Sequence, residues 1–167
     1  MRSDKTQLTP TTITRAGIAF FLLAFFPLMS VAQNLTAVEA IARIQKHYAA
    51  KIPASTVDTI KAGDPSTPVT GIATTFLATM DVLREADRLG LNLVITHEPT
   101  FYNHLDETVF FVGDPVYLEK LAFIQKHHMV VFRFHDQMHE VVPDPVAVAF
   151  VQAMGWQNYM DAPVHGN

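Results

Sequence analysis

The chain of 167 residues has no cysteine. That absence excludes disulfides, a lipid-modified cysteine and thiolate metal ligands, so stability has to come from packing, with a metal ion as the remaining kind of cross-link. Charge is sparse as well, at 17% of residues, with 12 basic against 16 acidic. No Gly-rich phosphate cradle appears, so a nucleotide substrate has no support from the motifs. Internal repeats and low-complexity tracts are also missing. The longest apolar run, residues 16–29, "AGIAFFLLAFFPLM", contains Pro27 and falls short of the roughly 20 residues that a membrane-spanning helix needs.

What is present begins with that run. Arg2, Lys5 and Arg15 precede it and the small residues Ser30, Val31 and Ala32 follow it, the layout of a secretory signal peptide cleaved after Ala32. The expectation is a leader over residues 1–32, a mature domain over residues 33–167, a secreted or periplasmic location, and no stable membrane anchor after cleavage. Removing the leader takes three of 12 basic and one of 16 acidic residues, leaving nine against fifteen and a net charge of −6. A surface of that sign repels nucleic acid.

The remaining chain is 49% hydrophobic when counted with its leader and suits one globular domain. Leu35, Val38, Ile41, Ala42 and Ile44 fall at helical spacing in "NLTAVEAIARIQKHYAA", which Pro53 ends. Two strands are expected in "STVDTIKAG" and "VTGIATTF", joined as neighbours by the turn-rich "DPSTP". Thr79 is placed to cap a helix that turns Val82, Leu83, Ala86 and Leu89 inward and closes at Gly90. Strand Leu93–Thr96 comes next. Asp114-Pro115 then opens the helix "PVYLEKLAFIQKHH", "MVVFRFH" forms a strand, and Asp144-Pro145 opens "PVAVAFVQAMGW". Strands alternating with helices of this length predict an α/β fold, a parallel or mixed sheet with helices on both faces. In such sheets ligands bind beyond the carboxyl ends of the strands.

Two such ends carry chemistry. "THEP" follows one strand and "HDQMH" the other, so His97, Glu98, His104, His135, Asp136 and His139 gather near one edge. Imidazole with carboxylate suits zinc, manganese or iron. Pro99 fixes how His97 and Glu98 point, although a single histidine at a fraying strand end also serves simply to satisfy backbone groups. His135 and His139 share a face if the chain turns helical after Phe134; if the strand continues they lie about 13 Å apart, too far for one ion. His104 and Asp136 read equally well as solvated loop residues. Arg133 alternates onto the face of His135, either to meet an anionic substrate or as a solvated edge arginine. His127 and His128 complement a helix end, His47 is a surface residue, and His165 lies in a terminal tail.

The stretch "GIATTFLATMDVLREADRLGLNLVITHEP" resembles the strand-helix-strand core of the Nif-three-like family, hexameric proteins with a dinuclear metal centre often described as GTP cyclohydrolase I type 2. The likeness continues through "HMVVFRFHDQMH" to "AMGW" and covers most of residues 35–156. It implies a divalent transition metal, zinc before manganese or iron, and a homo-oligomer. His97 matches the first histidine of the family's "ITHHP" turn, and Glu98 stands where the second should be. His135 matches the histidine of the second motif, and His139 stands where the family has a ligand aspartate. The resemblance thus assigns His97, Glu98 and His139 as metal ligands, and His135 as a base facing the substrate or supporting a ligand. The family's closing His and Glu pair has no counterpart after His139, which implies a truncated chain or a reduced, incomplete site. The function implied is an exported metal-binding protein capable of metal-assisted hydrolysis of a small-molecule substrate. The alternatives are a non-enzymatic metal-binding or assembly module, and an inactive fragment.

Overall fold

The structure is a computed structural model and describes residues 35–160 except Ala49. The expected leader over residues 1–32 and His165 lie outside the described residues. Helix α1 (Ala37–Tyr48) opens with Thr36, whose N–H and hydroxyl both donate to the Glu39 carboxylate, a variant of the reciprocal cap that stabilises helix starts. Strands β1 (Ile60–Ala62) and β2 (Ile72–Thr75) follow, then α2 (Met80–Arg88), β3 (Leu93–Thr96), α3 (Pro115–Lys126), β4 (Val130–Arg133), the one-turn α4 (Asp136–His139) and α5 (Pro145–Met154).

The caps form where expected. The Thr79 hydroxyl accepts from the Val82 N–H, Asp114 accepts from the Tyr117 N–H, and Asp144 accepts from the Val146 N–H. Gly90 closes α2 at φ 72°, a left-handed conformation open to glycine at no steric cost. Leu89 departs from the expectation: it is 53% exposed, while Leu83 and Ala86 are buried. The helix turns only a narrow stripe inward.

The sheet order is β1-β4-β3-β2, with β2, β3 and β4 parallel and β1 antiparallel to β4. The expected neighbours β1 and β2 are therefore at opposite edges. The reason is burial: β4 is buried at every residue and needs partners on both sides, and β1 supplies the second. Gly63 lets the chain run against β4, because a Cβ there would meet the Met129 carbonyl oxygen at 2.2 Å.

Side chains alternate across the central strands. Val94 and Val131 point to one face and pack with Leu83 and Ala86 of α2 and Ile124 of α3. Leu93, Val130 and Phe132 point to the other, against Ala37, Ala40 and Ile41 of α1. The sheet is thus covered on both faces, as the continuous apolar run of a buried parallel strand requires. Among the described residues no helix is long and apolar enough to cross a membrane.

Candidate metal centre

Strands β3 and β4 are parallel and adjacent, with Thr96 in register with Arg133. Their carboxyl ends therefore deliver His97 and His135 side by side. After Phe134 the chain turns into α4, and the His139 N–H bonds the His135 carbonyl at 3.2 Å. This resolves the spacing left open by the sequence: His135 and His139 lie one helical turn apart, on the same side.

The three imidazoles each offer one ligand nitrogen, and these atoms all lie within 4.8 Å of one another. The His97 and His135 rings stack at 4.6 Å between centroids, and His139 stands edge-on to both. Each ring is oriented through Nδ1. His139 Nδ1 is 2.7 Å from an Asp144 carboxylate oxygen, His135 Nδ1 is 2.9 Å from Asp136, and His97 Nδ1 is 3.3 Å from the Phe134 carbonyl oxygen. Carboxylates and carbonyls only accept, so these partners assign the proton of each neutral ring to Nδ1. His97 and His139 then face each other with unprotonated Nε2 atoms 3.3 Å apart. Two lone pairs at that distance repel unless a proton or a metal ion sits between them.

The donor set fits a metal. Nitrogen ligands about 2.0–2.1 Å from a tetrahedral ion are separated by about 3.3–3.4 Å, which matches the His97 to His139 distance. Burial, followed by the neighbouring His135, pushes the His97 pKa down, favouring the neutral form that can ligate. Asp144 is also prepared. Burial would raise its pKa, but the hydrogen bonds from His139, Val146 and Ala147 outweigh that and hold it below the usual carboxylate range. Such oxygen partners fix a ligand ring's tautomer and raise its basicity.

Asp144 permits a clean test. Asparagine caps a helix about as well as aspartate, so Asp144→Asn should leave α5 in place while weakening the hold on His139. Zinc affinity, measured by competition with a chromophoric chelator, is expected to fall about 10–100-fold. An unchanged affinity would show that the Asp144 contact does not tune the site.

Other residues singled out in the sequence have different surroundings. Glu98 lies outside the histidine group, with its carboxylate 3.8 Å from the Arg133 guanidinium. Arg133 is neither a solvated edge residue nor open to an anionic substrate, being fully buried. Its Nε donates to the His97 carbonyl at 3.1 Å and another nitrogen donates to the His104 carbonyl. His104 is exposed and outside the group; its ring approaches His135 edge-on at 5.8 Å. Asp136 is occupied by the Val57 N–H at 2.8 Å and by His135.

Three contributors to the site could not be read as such from the local sequence. Asp58, in the segment before β1, accepts from the backbone N–H groups of His135, Asp136 and Gln137 at 2.7, 2.9 and 2.8 Å. It caps α4 from 77 residues away. Gln137 donates to the carbonyls of Gln45 and Ala50, tying α4 to the end of α1. Asp144 was legible as a cap, yet its bond to His139 was not.

The fold is similar to that of the Staphylococcus aureus protein SA1388, with a TM-score of 0.58 and 21% identity, covering 73% of this chain and 38% of that one. A Bacillus cereus protein related to NIF3 gives a TM-score of 0.57 at 22% identity, covering 74% and 34% respectively. Reduced HcgD from Methanocaldococcus jannaschii gives 0.52 at 18%, covering 63% and 41%. The chain thus spans well under half the length of each of these solved structures. A comparison with curated proteins found no match. The family model for Duf34/NIF3 (NGG1p interacting factor 3) matches residues 35–160, which is every element from α1 to α5, and the chain belongs to that family.

Proposed function

We propose that this chain binds one divalent transition-metal ion through His97, His135 and His139 and uses it in hydrolysis of a small-molecule substrate. The observation that carries the reading is the pair of facing Nε2 atoms of His97 and His139, 3.3 Å apart, with all three Nδ1 atoms held by oxygen. An all-imidazole set without thiolate suits zinc and leaves iron and manganese as alternatives. Bound there, the ion supplies Lewis acidity, and three protein ligands leave a coordination position free.

The chain's own residues provide the frame. Asp144, Asp136 and the Phe134 carbonyl hold the three rings in the tautomer that ligates. Arg133 ties the His97 and His104 carbonyls together, so His97 emerges from a braced loop. Asp58 anchors the first turn of α4, which carries His139. The basic start and apolar run of the first 32 residues support a site of action outside the cytoplasm.

The ligand set gives a direct test, because the resemblance in the sequence points to Glu98 where the geometry points to His135. Purified protein should take up about one equivalent of zinc by elemental analysis. His97→Ala, His135→Ala and His139→Ala should each reduce uptake to background. Glu98→Gln should leave it intact. Full zinc uptake by His135→Ala together with loss in Glu98→Gln would restore the carboxylate as third ligand and remove His135 from the set.

A further inference from the structure

Two cavities open beside His97, of about 300 and 530 Å³. Both are bordered by Tyr48, Thr74, Thr75, His97 and Met138, so they form one groove along β2 that ends at the candidate metal centre. Ile72, Ile95 and Phe134 form the wall at one end, and Phe76, Pro145 and Val146 form it at the other. Among the described residues no Asp, Glu, Lys or Arg borders either cavity. The polar groups available are hydroxyls, and that of Thr75 is already donated to the Leu77 carbonyl. Phe76 is 60% exposed, and its ring lies 5.4 Å from that of His97, tilted by 32°.

Three carboxylates lie behind the histidines. Asp58, Asp136 and Asp144 all approach the site from the protein side. The guanidinium of Arg133 lies beside His97, but it is buried and spent on loop carbonyls, with Glu98 and Asp106 within 4.0 Å. Among the described residues that border the groove, a phosphate or polycarboxylate ligand would find no Lys or Arg to meet it. An uncharged flat or aliphatic body would find a continuous apolar floor, and an aromatic plate in Phe76.

From this we infer that the site takes a neutral ligand with an apolar, ring-sized body, seated in the groove against Phe76 and Met138, and one oxygen-donor group directed at the three histidines. The inference rests on the metal reading above and adds the class of molecule served. Concave apolar surface with a few convergent polar groups is the usual form of a small-molecule site. Here the apolar groove and the metal-ligating cluster share a residue, His97.

Hydroxamic acids separate the two claims, since the hydroxamate group seeks the metal and the substituent reads the groove. Binding of acetohydroxamate, benzohydroxamate and the anionic succinate monohydroxamate to the zinc-loaded full chain should be measured by calorimetry. Benzohydroxamate is expected to bind about tenfold more tightly than acetohydroxamate, the effect of placing a phenyl ring out of water. The anionic analogue should bind no more tightly than acetohydroxamate. Phe76→Ala should remove most of the benzohydroxamate advantage and leave acetohydroxamate binding and zinc content unchanged. Equal affinity of the aceto and benzo forms, or tighter binding of the anionic one, overturns the inference while leaving the metal centre standing. A groove filled by another polypeptide segment would give that first result. Failure of the chain to load zinc removes the metal reading, and this one with it; failure of all three hydroxamates to bind the zinc-loaded chain overturns this inference alone.

Discussion

Replacement of Arg133 by methionine is expected to lower the unfolding free energy by about 3–5 kcal/mol, the cost of removing one partner from a buried, hydrogen-bonded charge network. Methionine keeps the length of the stem but provides no donor. The carbonyls of His97 and His104 then lose the N–H groups they accept from. The carboxylate of Asp106, 2% exposed at its side chain and 4.0 Å from the guanidinium, keeps the Phe101 N–H on one oxygen and, as its remaining ion-pair partner, Lys61 at 3.7 Å. Lys61 is a weak substitute. Burial pushes its own pKa down, against the attraction of Asp106. Urea denaturation followed by circular dichroism measures the loss. A change below about 1 kcal/mol, the range of an exposed ion pair, would show that Arg133 is not the brace of the 97–104 loop. Leu83, equally buried but in the core between α2 and the sheet, is the comparison site. Leu83→Ala should cost about 2–5 kcal/mol by cavity formation without disturbing zinc uptake, whereas the Arg133 variant should disturb both.

That contrast explains which parts of the molecule could be read from its sequence. Features set by residues within a turn of each other were legible. Thr79, Asp114-Pro115, Asp144-Pro145 and Gly90 each act on backbone groups two or three positions away, so their chemistry is written beside them. Strand Leu93–Thr96 was legible because a strand buried on both faces needs an unbroken apolar run. Pairing is a different matter. Strands β1 and β2 are close in sequence, yet β1 satisfies β4, with Ile60 opposite Phe132, because a fully buried strand cannot leave an edge unpaired. No local pattern encodes that competition.

The same division runs through the site. The strand ends that carry His97 and His135 followed from the α/β pattern, and helical spacing offered His135 and His139 a common face. Arg133 misled because alternation predicts a direction but not a depth. Its burial depends on carbonyls contributed by a loop some 30 positions earlier, at His104 and His97. Glu98 follows His97 directly, past the end of the strand, and its carboxylate lies 3.8 Å from the Arg133 guanidinium, a long-range pairing that no local pattern announces. What orients the imidazoles was hardest to read: the Phe134 carbonyl that holds His97 is 37 positions away, and Asp136 and Asp144, though close in sequence to His135 and His139, read locally as a loop residue and a helix cap.

Asp58 gives the sharpest form of that point. Its two carboxylate oxygens receive three backbone N–H groups from the start of α4: one oxygen serves His135 and Asp136, and the other serves Gln137. Charge-assisted bonds of this kind contribute more than neutral ones, and the first turn of a helix is where a negative group is most favourable. Asp58→Ala should therefore cost about 3 kcal/mol. Asp58→Asn should cost roughly half as much, because its carbonyl oxygen can still serve His135 and Asp136 while its NH₂ group meets the Gln137 N–H donor to donor. Zinc affinity should fall in the same order, by at least about tenfold for alanine, since support of ligand residues typically carries that weight. The coupling arises because α4 is a single turn with no length of its own to hold it, and both His135 and His139 take their positions from it. Chelator competition and urea unfolding on the same two variants make the comparison. If stability drops in the predicted order while zinc affinity stays that of the parent, the ligands are positioned by the sheet alone, and the cap on α4 belongs to folding rather than to the metal centre.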